Sequence, residues 1–221
     1  MATSIPSIAC LGVIGRNNNP LHTTLFPTSR DAATGQAVPL RTPLQFSLLL
    51  SSTLDIFSSR ARHASVSGTL LSGDFGLLHA VDDRLAAYGW ETNTGVKFVA
   101  VVDMRGRSLD SLVGKGLKTS SLSSPSGGGA GMGGGGGGGA GAGAGSSSYG
   151  TAGGSGVGLR EGELKVVFRA MQTAYVRLLQ NPFYDPDDAT DVGTKRITSR
   201  KFAEEMRRIG DVWVPGSVNT L

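Results

Sequence analysis

Apolar residues along this chain fall into short blocks whose spacing changes from one block to the next. Residues 8–14 are almost continuously apolar and lie between Pro6 and the turn-forming cluster Asn17, Asn18, Asn19 and Pro20. An unbroken apolar run of that length, closed by turn formers, predicts a central strand. Residues 22–26 read as its hairpin partner, and residues 30–41, rich in Ala, Thr, Gly and Pro, as a loop. A helix then begins with several agreeing signals: Thr42 as N-cap, Pro43 at the first helical position, and Gln45 three residues past the cap to close a capping box. Phe46, Leu49, Leu50, Thr53, Leu54 and Phe57 recur at helical spacing and should pack on a sheet. Leu44, Leu48, Ser51, Asp55, Ser58, Ser59 and Arg62 fall on the opposite side. After a loop over residues 65–74, three apolar segments at 75–81, 85–92 and 96–103 predict a β-meander. Asp82, Asp83 and Arg84 supply its first turn and Asn93, Thr94 and Gly95 the second, with one residue at positive φ. The last segment is nearly all apolar, so it should be central.

Glycine changes the picture beyond residue 104. Most of the 34 glycines crowd into residues 127–158, where a Gly/Ser/Ala composition cannot bury apolar surface and loses the most backbone freedom on ordering. Residues 105–160 are therefore expected to be a disordered insertion in a single domain made of residues 1–104 and 161–221. Its span, about 40 Å by flexible-chain scaling, easily joins two neighbouring elements. Helical spacing returns at Leu164, Val167, Phe168, Met171, Ala174, Tyr175, Leu178 and Leu179, with Lys165, Arg169, Gln172 and Arg177 on the other side. Asn181 and Pro182 stop that helix, and Phe183, Tyr184 and Pro186 form an aromatic-proline corner before Asp187 and Asp188. A last helix spans about residues 199–209, with Gly210 as its C-terminal stop. The order strand, strand, helix, three strands, helix, helix describes an α/β fold of the α+β type: a five-stranded antiparallel sheet with one helix on one face and two on the other.

Charge and chemistry exclude more than they assign. The net charge is +4, with the basic residues spread out and the cluster over 195–208 interrupted by Glu204 and Glu205, which is a solvated helix face rather than a nucleic-acid surface. Cys10, the single cysteine, lies in an apolar run, cannot form an internal disulfide, and suits a reducing compartment. No apolar run approaches the roughly 18 residues of a membrane helix, the N-terminal stretch lacks a basic n-region, and no lipidation signal is present, so no direct membrane insertion is expected. His22 and His79 lie in predicted strands and His63 at a helix end, without metal-ligand spacing or a nucleophile–base arrangement. The glycine tract matches G-x-G-x-x-G repeatedly, as any such tract does, but no Walker lysine or strand–turn–helix context accompanies it. Asp82/Asp83 and Asp187/Asp188 sit beside turns, where solvation explains them. No catalytic residue, metal site or cofactor is expected, and the chain reads as a binding protein rather than an enzyme.

Three segments carry a family resemblance: Val96-Lys-Phe-Val-Ala-Val-Val-Asp103, the helix Val167-Phe-Arg-Ala-Met-Gln-Thr-Ala-Tyr175, and the corner Asn181-Pro-Phe-Tyr-Asp-Pro186. Together they resemble the sedlin family of the TRAPP vesicle-tethering complex. Gly76-Leu-Leu, Tyr88-Gly89 and the Thr92-Asn93 turn before Val96 are similar to its subunit 2-like branch. The resemblance covers residues 5–26, 43–104 and 161–210. It implies a longin-like fold that agrees with the element order above, and a non-catalytic adaptor role in endoplasmic reticulum to Golgi and intra-Golgi transport. The implied partners are other TRAPP subunits, with an indirect link to Rab-type GTPases and Golgi membranes. The implied location is cytoplasmic, peripheral at Golgi and endoplasmic reticulum membranes.

Leu54-Asp55 resembles a Leu-Asp pair of the family's first helix whose carboxylate meets neighbouring subunits. An interface of Leu44, Leu48, Asp55 and Arg62 is then expected, apolar contacts supplying energy and charge supplying register. Asn181, Pro182, Phe183, Tyr184, Ser199 and Phe202 match family motif positions, whereas Ala203 stands where the pattern Ser-x-x-Phe-Asp has an acid. The alternative reading is a longin-type regulatory domain of a SNARE or coat component, which calls for a heptad stretch or membrane helix after the last helix.

Long flexible loops change stability little when shortened. Deleting residues 120–158 is expected to leave the thermal unfolding midpoint almost unchanged, and a drop of several degrees would show that the tract packs on the domain.

Overall fold

The computed structural model describes residues 4–31, 33–67, 73–108, 159, 162–184 and 196–216. Its first strand extends beyond the apolar block: β1 (Ser4–Ile14) pairs antiparallel with β2 (Pro20–Leu25). The turn between them closes through Gly15 and Asn19, with Asn18 at φ 62, a conformation asparagine tolerates. The stretch 30–41, expected as a loop, contains a small hairpin, β3 (Ser29–Arg30) with β4 (Ala37–Val38). Asp31 builds its turn by accepting from the Ala33 N–H (3.3 Å) and the Thr34 hydroxyl (2.7 Å), with Gly35 at φ 67. The predicted meander forms β5 (Asp74–Ala80), β6 (Leu85–Glu91) and β7 (Lys97–Ser108). Gly95, at φ 80, is the positive-φ residue of its second turn.

The five long strands make one antiparallel sheet in the order β2-β1-β7-β6-β5. β7 is its middle strand and alternates cleanly, Phe98, Ala100 and Val102 facing one core and Val99 and Val101 the other. It also runs to Ser108, so residues 105–108, assigned to the insertion from sequence, are strand; of the remaining residues assigned to it only Leu159 is among those described.

Helix α1 (Pro43–Ser67) covers the face of Val99 and Val101, and continues through the point where a loop was expected at residue 65. The capping box is present: the Thr42 N–H donates to Gln45 Oε1 (3.0 Å) and the Gln45 N–H to Thr42 Oγ1 (3.3 Å). Two glycines let this helix approach the strands closely. A Cβ at Gly12 would lie 2.7 Å from Leu50 Cδ2, and one at Gly89 would lie 2.5 Å from Phe57 Cζ. Leu50 and Phe57, two turns apart, thus seat α1 on β1 and β6.

Helices α2 (Glu163–Leu179) and α3 (Arg200–Val212) cover the opposite face. The predicted inner residues of α2 are buried, except that Leu179 is 40% exposed, because it lies in the final turn where the helix leaves the sheet. Phe98 meets Tyr175 edge-on at 6.1 Å, and Trp90 stacks with Phe168 at 6.2 Å. Gly210 does not end the last helix. It is buried inside α3, where any Cβ would strike the Phe26 ring, so its role is close packing, and the chain turns extended only at Trp213. Pro186, Asp187 and Asp188 lie outside the described residues.

One buried charge is central to the sheet. Asp103, fully buried, accepts from Arg84 Nε (2.8 Å), Arg84 Nη2 (2.8 Å) and the Arg105 N–H (2.9 Å). The bidentate pair ties β7 to the start of β6, and hydrogen bonding to the carboxylate pushes the Arg84 guanidinium above its ordinary value. Removing one partner of such a pair leaves an uncompensated buried charge. Arg84→Met is expected to cost about 3 kcal/mol in urea unfolding. Asp103→Asn should cost less, because the Arg84 side chain, 30% exposed, can return to water; the reverse order would place the burden on the arginine.

Candidate functional site

A helix of 25 residues packed by one face necessarily presents another. On α1 the packed face is Phe46, Leu50, Thr53 and Phe57, all buried. Phe57 meets Phe75 of β5 edge-on at 4.8 Å. Arg60 extends this anchorage, donating from Nη1 to the Phe75 carbonyl (2.5 Å) and from Nη2 to the Leu77 carbonyl (2.6 Å). At the other end Arg41 pairs with Asp82 at 2.6 Å, fixing the entry to α1 against the β5–β6 turn. Burial acts to raise the Asp82 pKa, but the N–H groups of Leu85 and Arg84 and the Arg41 guanidinium more than offset it and hold the carboxyl below its ordinary value.

The outward face is thereby fixed in orientation. Leu44 is 69% exposed and Leu48 63%, and Asp55 and Arg62 are exposed on the same side. Val66, 89% exposed, extends the stripe by one more turn. It was missed from sequence because the helix was ended too early, although it stands four residues past Arg62. Ser51, between Leu48 and Asp55, folds its hydroxyl back onto the Ser47 carbonyl (3.0 Å). Neither Asp55 nor Arg62 hydrogen-bonds or pairs with another described residue, so both charges face outward uncommitted. Over about 33 Å of helix this stripe runs from two leucines through a carboxylate to a guanidinium and a valine. Such a surface can contact another polypeptide; it holds no group arranged to move a proton or attack a bond.

The family motif positions lie on the other side of the sheet, where the structure gathers several of them. Asn181 starts a turn, donating its N–H to the Leu178 carbonyl (3.1 Å) and accepting the Tyr184 N–H on its own carbonyl (3.0 Å), with Pro182 at the second position. Its side chain accepts from the Phe183 N–H (3.2 Å). Tyr184 packs on the core beneath α2 and α3, whereas Phe183 is 94% exposed. Ser199 is the N-cap of α3, accepting from the Phe202 N–H (3.4 Å). Phe202 is buried and meets His22 edge-on at 5.2 Å. Asn181, Ser199 and Phe202 line one cleft of 460 Å³ between α2 and α3, crossed by the Arg177–Glu205 ion pair at 2.9 Å. Leu44, Leu48, Asp55 and Arg62 are separated from this cleft by the sheet.

Cys10 and His22 are held within the fold. Burial pushes the Cys10 thiol pKa far up, and the residue is wholly enclosed. Burial also lowers the His22 pKa, and its Nε2 lies 2.8 Å from Thr24 Oγ1. Among the described residues no three His, Cys, Asp or Glu side chains gather as a metal site would require.

Comparison with known proteins points in one direction. The family model described as Sedlin matches residues 13–212. Similar proteins include the trafficking protein particle complex subunit 2-like proteins of Bos taurus and Rattus norvegicus, each 24% identical over 197 residues, covering 87% of this chain and 89% of theirs. The protein of that name from Dictyostelium discoideum is 22% identical over 204 residues, covering 91% and 95%. The Sedlin match takes in α1 with its outward stripe and both motif segments around the α2–α3 cleft.

Because Asp55 makes no contact that folding depends on, Asp55→Tyr is expected to shift the thermal midpoint by no more than about 2 °C. Loss of the cooperative transition, followed by circular dichroism, would mean that the carboxylate supports the fold.

Proposed function

The chain belongs to the sedlin family, and on that premise we propose that it is a non-catalytic structural subunit of the TRAPP vesicle-tethering complex, docking onto other subunits through the outer face of α1. The observation that carries this reading is the stripe of Leu44, Leu48, Asp55 and Arg62, exposed on a helix whose opposite face is locked to the sheet. Exposed leucines supply contact energy, and two uncommitted charges of opposite sign, seven residues apart, discriminate between registers of the incoming partner. The names of the similar proteins, complex subunits, support the same reading.

In this role the chain acts in endoplasmic reticulum to Golgi and intra-Golgi transport, and its connection to Rab-type GTPases passes through the assembled complex. It has no exchange activity alone. Among the described residues no helix is long and apolar enough to cross a membrane, which fits attachment to Golgi and endoplasmic reticulum membranes through partners, from the cytoplasmic side.

Affinity purification of the tagged chain with quantitative mass spectrometry tests the reading. Wild type should recover other TRAPP subunits, and Asp55→Tyr should reduce that recovery by about tenfold at unchanged thermal midpoint. A purification that returns no other TRAPP subunit would overturn the assignment.

A further inference from the structure

β2 closes the sheet on one side and pairs with β1 alone among the strands. The Phe26 N–H donates to the Ala9 carbonyl (2.9 Å), so Phe26 and the residues that alternate with it, Thr24 and His22, turn their main-chain groups toward β1. Leu21, Thr23 and Leu25 turn theirs the other way, to the edge. There the Leu21 carbonyl accepts the Ile197 N–H (2.8 Å). Beyond that one tie, the edge-facing N–H and C=O groups of Thr23 and Leu25 meet no partner among the described residues.

These groups are open to solvent. Thr23 is exposed, and a groove of 300 Å³ runs along the edge of β2. Pro43 and Ser47 of α1 wall it from one face of the sheet, and Arg196 and Ile197 from the other, where Ile197 joins the core under α2 and α3. Edges that stay solitary are usually guarded by a charge, a proline or a bulge. The stretch from Leu21 to Leu25 contains no Lys, Arg, Asp or Glu, and Pro20 and the register shift beside it come before the free groups. Main-chain groups two residues apart on one side of a strand converge by geometry on an extended chain laid along it.

We propose that this groove receives an extended, acid-bearing segment of a partner polypeptide, which adds a sixth strand to the sheet through the main chain of Thr23 and Leu25. Main-chain bonds then supply affinity, and the groove walls select side chains. A second copy of this chain fits poorly, because its own β2 edge is flanked by the same two walls and both sets would have to enter one gap. A single extended segment brings no walls. Arg196 is exposed and pairs with no described residue, so a carboxylate on the incoming segment has a counter-charge waiting at the rim. Ser47 of the groove precedes Leu48 of the α1 stripe, so one partner can reach both, but the strand pairing does not depend on the docking role of that stripe.

Random linear heptapeptides displayed on phage, selected on the immobilised full chain and then synthesised, are the probe. Saturable one-site binding by acid-bearing peptides is expected. Residue-resolved hydrogen exchange should show the Thr23 and Leu25 amides slowed about tenfold or more, while the Thr24 amide, already turned to β1, changes little. Thr23→Pro removes an edge-facing N–H, which an edge strand tolerates. It should hold the thermal midpoint within about 3 °C and weaken binding about tenfold or more. N-methylation of alternate peptide amides leaves the protein untouched and should abolish binding in one register and spare it in the other, so strand pairing is read even where the proline variant fails to fold. Arg196→Glu should weaken the acidic peptides about threefold or more. Asp55→Tyr should leave peptide affinity unchanged, so subunit recovery in that variant judges the stripe and not the groove. Absence of saturable binding, or binders that leave the Thr23 and Leu25 amides unprotected, would overturn the proposal. A concentration-dependent dimer abolished by Thr23→Pro would overturn it too, by giving the edge to a second copy.

Discussion

Burial of β7 on both faces is the constraint from which the rest of the molecule follows. Phe98 through Val102 are wholly excluded from solvent, alternating between a core under one helix and a core under two. A strand covered on both sides cannot present a ligand site on its broad faces. Function is thereby pushed outward, to the far sides of the helices, to clefts between elements, and to places where one strand outruns another. The α1 stripe and the α2–α3 cleft are of the first two kinds.

The elements best read from sequence are those whose signals are local. Thr42 and Gln45 cap each other across three residues, so the start of α1 could be placed without knowing what it packs on. Helical spacing oriented the same helix and put Asp55 outside. The errors fall where a neighbour decides. Gly210 has the look of a helix stop, yet Phe26, far away in sequence, makes glycine necessary inside α3. Residues 105–108 share the composition of a linker start, but β1 extends to Ser4 and gives them a strand to pair with. The β3–β4 hairpin hides in polar composition because its turn is built by Asp31 and Thr34, not by apolar alternation.

Sites were less legible than elements for the same reason. The outward face of α1 needs only a helical period to be seen. The Arg84–Asp103 pair joins residues 19 apart through the register of β6 on β7, which no local pattern encodes. The motif residues of the far side prove largely architectural: Ser199 caps, Phe202 fills the core, and Asn181 turns the chain. Phe183 is the exception, held in the open by that turn.

Arg60 bears on how this sheet meets other chains. An outermost strand is ordinarily a template on which a foreign strand can add, its main-chain groups awaiting a match. Here β5 is outermost, and two of its carbonyls already receive the guanidinium reaching down from α1. A guest strand would have to evict a charged group that also moors the helix, and so would loosen the helical platform it arrived beside. Association by adding a strand to β5 is discouraged from within, and association over the helical surface beside it is left as the easier route.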